Sequence, residues 1–116
     1  MNFQNSFSII LLVSAFFTFL TSYLFLKFPP KSINWFYGYR TINSMKTKAH
    51  WNFAHMYSGK KFLIFGLILT LLGLLGSFFN LKNILGSVLA ITISILGFIN
   101  IILKTEKAIK RKFNSK

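Results

Sequence analysis

Residues 29–61 read PPKSINWFYGYRTINSMKTKAHWNFAHMYSGKK. The sequence around them is mostly apolar, with long runs at 7–28, 62–79 and 84–103. Only Asn80-Leu81-Lys82-Asn83 separates the last two. Counting Lys27 at its entry, the central stretch carries seven of the fourteen Lys and Arg. It also carries both Trp, both His and three of the four Tyr. Chemistry gathered into one loop between apolar runs locates the specific work of the chain there.

The charge balance narrows the class. One side-chain carboxylate, Glu106, faces fourteen cations, for a formal net charge of +13. Charged residues make up 13% of the chain, against about a quarter in a soluble domain, so the cations are not a salt-bridged globular surface. A charge of this sign points to nucleic acid or to an anionic membrane surface. The apolar runs decide for the membrane, and no groove-reading module accompanies the cations, so no nucleic-acid partner is expected. The absence of cysteine excludes disulfides and zinc–thiolate sites. A single carboxylate excludes paired-carboxylate catalysis and carboxylate metal cages within one chain. His50 and His55 are five residues apart, about 140° around a helix, which is not the i, i+4 spacing of a helical metal pair. They are expected as interfacial residues with wet tips. No enzyme activity, catalytic set, cofactor or metal is expected.

The runs predict an all-α integral membrane protein, a single membrane domain over 1–116 with three transmembrane helices. Residues 7–28 give about 33 Å of helix at about 1.5 Å per residue, enough for the roughly 30 Å hydrocarbon layer. A cleaved signal peptide is disfavoured: Met1–Ser6 lacks Lys and Arg, the run is too long, and no Ala-x-Ala site follows. Asn5 or Ser6 is the expected cap, and Pro29-Pro30 stops the helix. Trp35, Tyr37 and Tyr39 read as an extended segment at headgroup level. Ser44–Ser58 is predicted as an amphipathic helix lying in the cytoplasmic interface between helices 1 and 2, packed on the protein or on headgroups. Asn43 or Ser44 caps it, Gly59 stops it, and Met45, Ala49, Phe53 and Met56 form its apolar stripe. The four-residue link at 80–83 makes the last two spans an antiparallel hairpin. Small residues predict its seam: Gly66, Thr70, Gly73 and Ser77 against Gly97, Ser94, Ala90 and Gly86, in that order. Ser14, Thr18 and Ser22 form a further stripe that can dock on the hairpin. The tail 104–116 is basic, and Ile109 and Phe113 suggest a short helical continuation.

Within the loop, the order Asn34, Gly38-Tyr39-Arg40-Thr41, Ser44-Met45-Lys46, Trp51, Ala54 and Gly59 resembles the signature of the SdpI family. The likeness runs from the loop into the following apolar helix. Thr47 and Lys48 stand where the family usually has Asn and an acid, and His55 stands where Asn is expected. The resemblance implies a small bacterial multi-pass membrane protein. It also implies immunity or toxin resistance against a membrane-active peptide, since the namesake confers immunity to a secreted cannibalism toxin and signals to a repressor. Two other readings stay open: a membrane-anchored regulator that captures a cytosolic factor, and an accessory subunit of a transporter. The partners considered are anionic lipids of the bilayer, a peptide toxin, a cytosolic regulator and a second copy of the chain.

Arg40 is singled out because its planar fork suits either a lipid phosphate or helix-end carbonyls that would hold the loop against the spans. Asn34 and Asn100 are candidate loop-to-helix bonds. Orientation follows from charge. Lys27 and the loop hold seven cations, the tail six, the link at 80–83 one and residues 1–6 none. Positive segments stay in the cytoplasm, so the reading is a bacterial cytoplasmic membrane with the N-terminus outside and the loop and tail inside. Single-cysteine variants at Gln4, Lys82, Thr47 and Ser115 are therefore expected to react with an impermeant reagent on intact cells only at Gln4 and Lys82. Labelling at Thr47 would overturn the orientation.

Overall fold

The computed structural model describes residues 6–28, 38–79 and 84–113. Three helices, α1 (Ser6–Lys27), α2 (Lys48–Gly76) and α3 (Ile84–Phe113), are each long and apolar enough to cross a membrane. The exposed positions say what surrounds them. Phe16, Leu20, Leu67, Leu71, Val88, Ile95 and Ile99 all point outward. A belt of large apolar side chains on every helix is the surface of a protein dissolved in hydrocarbon rather than water.

The interfacial helix expected at 44–58 is not present as a separate element. The chain turns at residues 42–47 and enters α2 at Lys48, which then runs unbroken to Gly76. Gly59, the expected stop, sits in mid-helix. A helical glycine costs roughly 1 kcal/mol, but here the missing side chain lets α1 come close. A Cβ on Gly59 would sit 2.9 Å from Leu26 of α1, and the Ser22 hydroxyl donates to the Gly59 carbonyl at 2.7 Å. The cap is Thr47, whose hydroxyl accepts the His50 amide at 3.1 Å, rather than Asn43 or Ser44. The Met45, Ala49, Phe53, Met56 stripe is not the buried face, since Ala49 and Met56 are exposed. The face that packs is Trp51, His55, Ser58, Phe62, Gly66, Leu69, Gly73 and Gly76, one line at spacings of three or four.

At about 1.5 Å per residue, 29 and 30 residues make helices of roughly 44 Å, longer than the hydrocarbon layer. The basic first turns of α2 and the basic last turns of α3 therefore extend beyond it side by side. Phe113 stacks on His50 with ring centroids 4.0 Å apart, and Lys112 Nζ lies 5.1 Å from the centre of the Phe53 ring. Ile109 is fully buried between them and the spans.

The glycine seam is also re-partnered. Gly66 and Gly73 face α1, not the expected Gly97 and Ala90 of α3. A Cβ on Gly66 would come within 2.9 Å of Phe19, and one on Gly73 within 2.9 Å of Leu12. As α2 advances by seven residues, Gly59 to Gly66 to Gly73, α1 retreats by seven, Leu26 to Phe19 to Leu12. This is an antiparallel heptad seam in which each glycine receives a large side chain. Gly97 of α3 likewise receives the Phe65 ring of α2. The hydroxyls are satisfied within helices or across to α1: Thr70 donates to Gly66 O at 2.8 Å, and Ser94 to Ala90 O at 3.0 Å and Ser14 Oγ at 3.3 Å. Glycine facing glycine would leave lipid-depleted space with little to fill it. Large-into-small packing recovers dispersion contacts that hydrocarbon solvent would otherwise supply.

Gly73→Leu is expected to cost about 1–3 kcal/mol of stability in detergent through overpacking. Leu12→Ala in the same chain is expected to restore much of it, and Ala90→Gly is not. Rescue by Ala90→Gly alone would return the seam to α3.

Candidate functional site

Among the described signature residues, Tyr39, Thr41 and Ser44 come together where the loop meets α2 and α3. Gly38 opens the segment with φ 117°, a left-handed conformation that a side chain would strain. Tyr39 follows, only 7% exposed, rather than lying wet at headgroup level. Its backbone N–H donates to His55 Nε2 at 2.9 Å. Nε2 therefore carries no proton, and the ring proton sits on Nδ1, which donates to the Trp51 carbonyl at 2.8 Å. His55 is fully buried between Trp51 and Phe25, with ring centroids 4.5 and 4.7 Å away. The expectation of a wet-tipped His55 is thus corrected. A non-helical amide in a buried position needs an acceptor, and the imidazole of α2 supplies it.

The Tyr39 hydroxyl reaches α3, donating at 3.0 Å to Glu106 Oε1 and at 3.3 Å toward the Ile102 carbonyl. Burial first, and then the Glu106 carboxylate, push this hydroxyl well above the ordinary phenol range, so it stays a donor. Asn43 Nδ2 donates to the other carboxylate oxygen at 2.7 Å. Between these clamps, Ser44 closes the turn. Its hydroxyl donates toward the Tyr39 and Thr41 carbonyls at 2.9 and 3.0 Å and accepts the Thr41 amide at 2.8 Å. The Thr41 hydroxyl accepts the Ser44 amide at 3.1 Å. A tight polar turn is thereby tied to α2 through His55 and to α3 through Glu106.

Of the other signature residues, Trp51 is fully buried and Met45 contributes its amide to Thr41 O at 3.1 Å. Lys46 is exposed. Arg40 is also exposed, at the rim of a cavity of about 280 Å³ bounded by Thr21, Phe25, Phe62, Phe98 and Ile102. Asn34, Trp35 and Tyr37 lie outside the described residues. Asn100 is exposed and lines a different slot, beside Lys61 and Lys104. Sequence reasoning missed Glu106 and His55 as site residues and read Asn43 only as a cap. The available signal was Glu106 itself, the lone acid of a chain with fourteen cations.

A larger recess of about 420 Å³ opens between α1 and α3, over α2. Val13, Phe17, Phe62, Phe65 and Phe98 make its walls apolar, and Ser14, Thr18, Thr21 and Ser94 add hydroxyls. Thr18 and Thr21 donate to carbonyls of their own helix, at 2.7 and 2.9 Å, and keep oxygen lone pairs to accept from a guest.

The SdpI/YfhL protein family model matches residues 31–103. A Bacillus subtilis (strain 168) relative, described as uncharacterized protein YfhL, is 44% identical over 84 residues, covering 72% of this chain and 70% of its own. No solved structure matches the chain.

Tyr39→Phe and Glu106→Gln are each expected to lower stability by about 1.5–3 kcal/mol, the range for hydrogen bonds to charged groups. The double variant is expected to cost clearly less than the sum of the two, as read from a thermal double-mutant cycle in detergent. Strict additivity would mean that the two residues do not form one unit.

Proposed function

The chain belongs to the SdpI/YfhL protein family, and on that basis we propose that it protects its cell from a membrane-active peptide, as an immunity protein of the bacterial cytoplasmic membrane. The observation that carries this reading is the recess between α1 and α3. It is apolar, carries hydroxyls and opens laterally where a membrane-embedded peptide would travel. An amphipathic peptide helix needs an apolar groove for its anchors and a few acceptors for its polar edge. Held there, the peptide is kept from assembling in the bilayer. Degradation is not part of the mechanism, because a chain with one carboxylate and no cysteine has little means to hydrolyse a peptide bond. The locked loop and basic tail face the cytoplasm and hold the three helices around the recess.

A second reading has its own observation. Ile42 is 87% exposed at the tip of a rigidly bonded turn, beside exposed Arg40 and Lys46. An apolar residue displayed on a fixed cationic turn suits contact with a cytosolic regulator.

Expression in a sensitive strain, challenged with the secreted peptide fraction of the producing cells, separates the two. Survival is expected, with the peptide recovered intact. Ser94→Phe, which fills the recess, is expected to abolish survival at unchanged protein level, and Ile42→Asp to leave it intact. Loss with Ile42→Asp and retention with Ser94→Phe would move the function to the regulator reading.

A further inference from the structure

At their basic ends, α2 and α3 build a cup of one charge. Lys104, Lys107 and Arg111 lie on one stripe of α3, and Lys61 and Tyr57 stand opposite on α2, around a depression of about 380 Å³. Lys61 Nζ lies 5.4 Å from the centre of the Tyr57 ring, which steadies it above the cup. The sole side-chain carboxylate, Glu106, is turned to Tyr39 and Asn43 of the loop and does not line the cup. Four cations brought together by folding, with no carboxylate among the described residues that line the cup, call for an anion from outside.

The cup does not end at the polar level. Lys61 and Lys104 also form the upper edge of a narrow slot of about 160 Å³ running down between the same two helices. Its walls are Ile64, Ile68 and Phe65, and the Phe65 ring is held there by packing directly on Gly97. Asn100 stands between the two levels. From the basic end inward, the order is cations, one amide, then aliphatic wall. That is the order of a phospholipid: phosphate, glycerol ester, acyl chain.

We propose that this cup and slot form a binding site for one anionic phospholipid. The phosphate sits among Lys61, Lys104, Lys107 and Arg111, Asn100 reaches the ester region, and an acyl chain lies along Ile64 and Ile68. A soluble anion would use the cup but have no use for the slot. A neutral lipid would fit the slot but leave the cations without a counter-charge. The seated lipid bridges the basic ends of α2 and α3.

Native mass spectrometry of the full chain from neutral detergent micelles tests this. The probes are phosphatidylglycerol, phosphatidylcholine and inorganic phosphate, each added alone. A single retained phosphatidylglycerol is expected, with no comparable adduct of the other two. Removing three charges from the cup, by Lys61→Gln, Lys104→Gln and Lys107→Gln together, is expected to weaken binding about a hundredfold, each basic group near a phosphate contributing roughly a factor of five. Removing three elsewhere, by Lys46→Gln, Lys48→Gln and Lys110→Gln, is expected to leave it nearly unchanged. Ile68→Trp, which fills the slot with an apolar ring, is expected to expel the lipid. Equal loss in the two triple variants, equal retention of inorganic phosphate, or undiminished lipid binding by Ile68→Trp would each overturn the proposal.

Discussion

A single carboxylate holds the basic end of this protein together. Glu106 accepts from Tyr39 on one oxygen and from Asn43 on the other, and both donors come from the turn that precedes α2. Residues 42–47 form no helix or strand, and backbone bonds from Met45 to Thr41 and from Lys46 to Asn43 close only part of the turn. They are held by the Ser44–Thr41 exchange, by His55 beneath and by Glu106 beside them. Because cations surround the region and acids are otherwise absent, the carboxylate has no rival partner of its kind in the chain. A charge-assisted hydrogen bond is roughly twice as strong as a neutral one, so one acid can set the position of a whole turn.

The second constraint is the solvent. Hydrocarbon gives helices no hydrophobic reason to associate, so they need shape. The α1–α2 seam supplies it with Leu12, Phe19 and Leu26 seated over Gly73, Gly66 and Gly59. Below the loop, Phe25, Phe62 and Ile101 close one core with Tyr39 and Ala54. Farther along, Phe7, Leu11, Leu69 and Ala90 close another. The recess between α1 and α3 lies beside this tight seam. α2 binds α1 closely and α3 more loosely, which leaves room on the flank where the proposed peptide would enter.

The two ends of the bundle carry different chemistry for the same reason. Helices of roughly 44 Å overrun a hydrocarbon layer of roughly 30 Å, and the overrun in both α2 and α3 is the basic part. Lys61, Lys104, Lys107 and Arg111 are dispersed along the chain and meet only because α2 and α3 run antiparallel with their charged ends together. On α2, the heptad that seats α1 and the residues that line the basic cup are different sets. Packing against one partner thereby leaves another face open to lipid.

The sequence by itself determined the class: three apolar runs, one polar loop, charge of one sign, and a signature strong enough to name a family. These are properties of composition and order, and they survive any arrangement in space. It also pointed to Ser14, Thr18 and Ser22 as docking positions on α1; Ser14 and Ser22 bond outside their helix, whereas the Thr18 hydroxyl turns back to the Ser14 carbonyl. Only the tertiary structure decided whether Gly59 ended a helix or opened one to Leu26, because a glycine permits both and a neighbour chooses. Only it turned His55 inward, since a histidine's role depends on whether a backbone amide lies 2.9 Å away. It reassigned Gly66 and Gly73 from α3 to α1 because any stripe of small residues offers a groove, while the large side chains that fill it, Phe19 and Leu12, lie 47 and 61 residues earlier. Glu106 shows the limit most directly. Its isolation in sign was legible, but its two donors lie more than sixty residues away, and contacts at that separation exist only once the chain has folded.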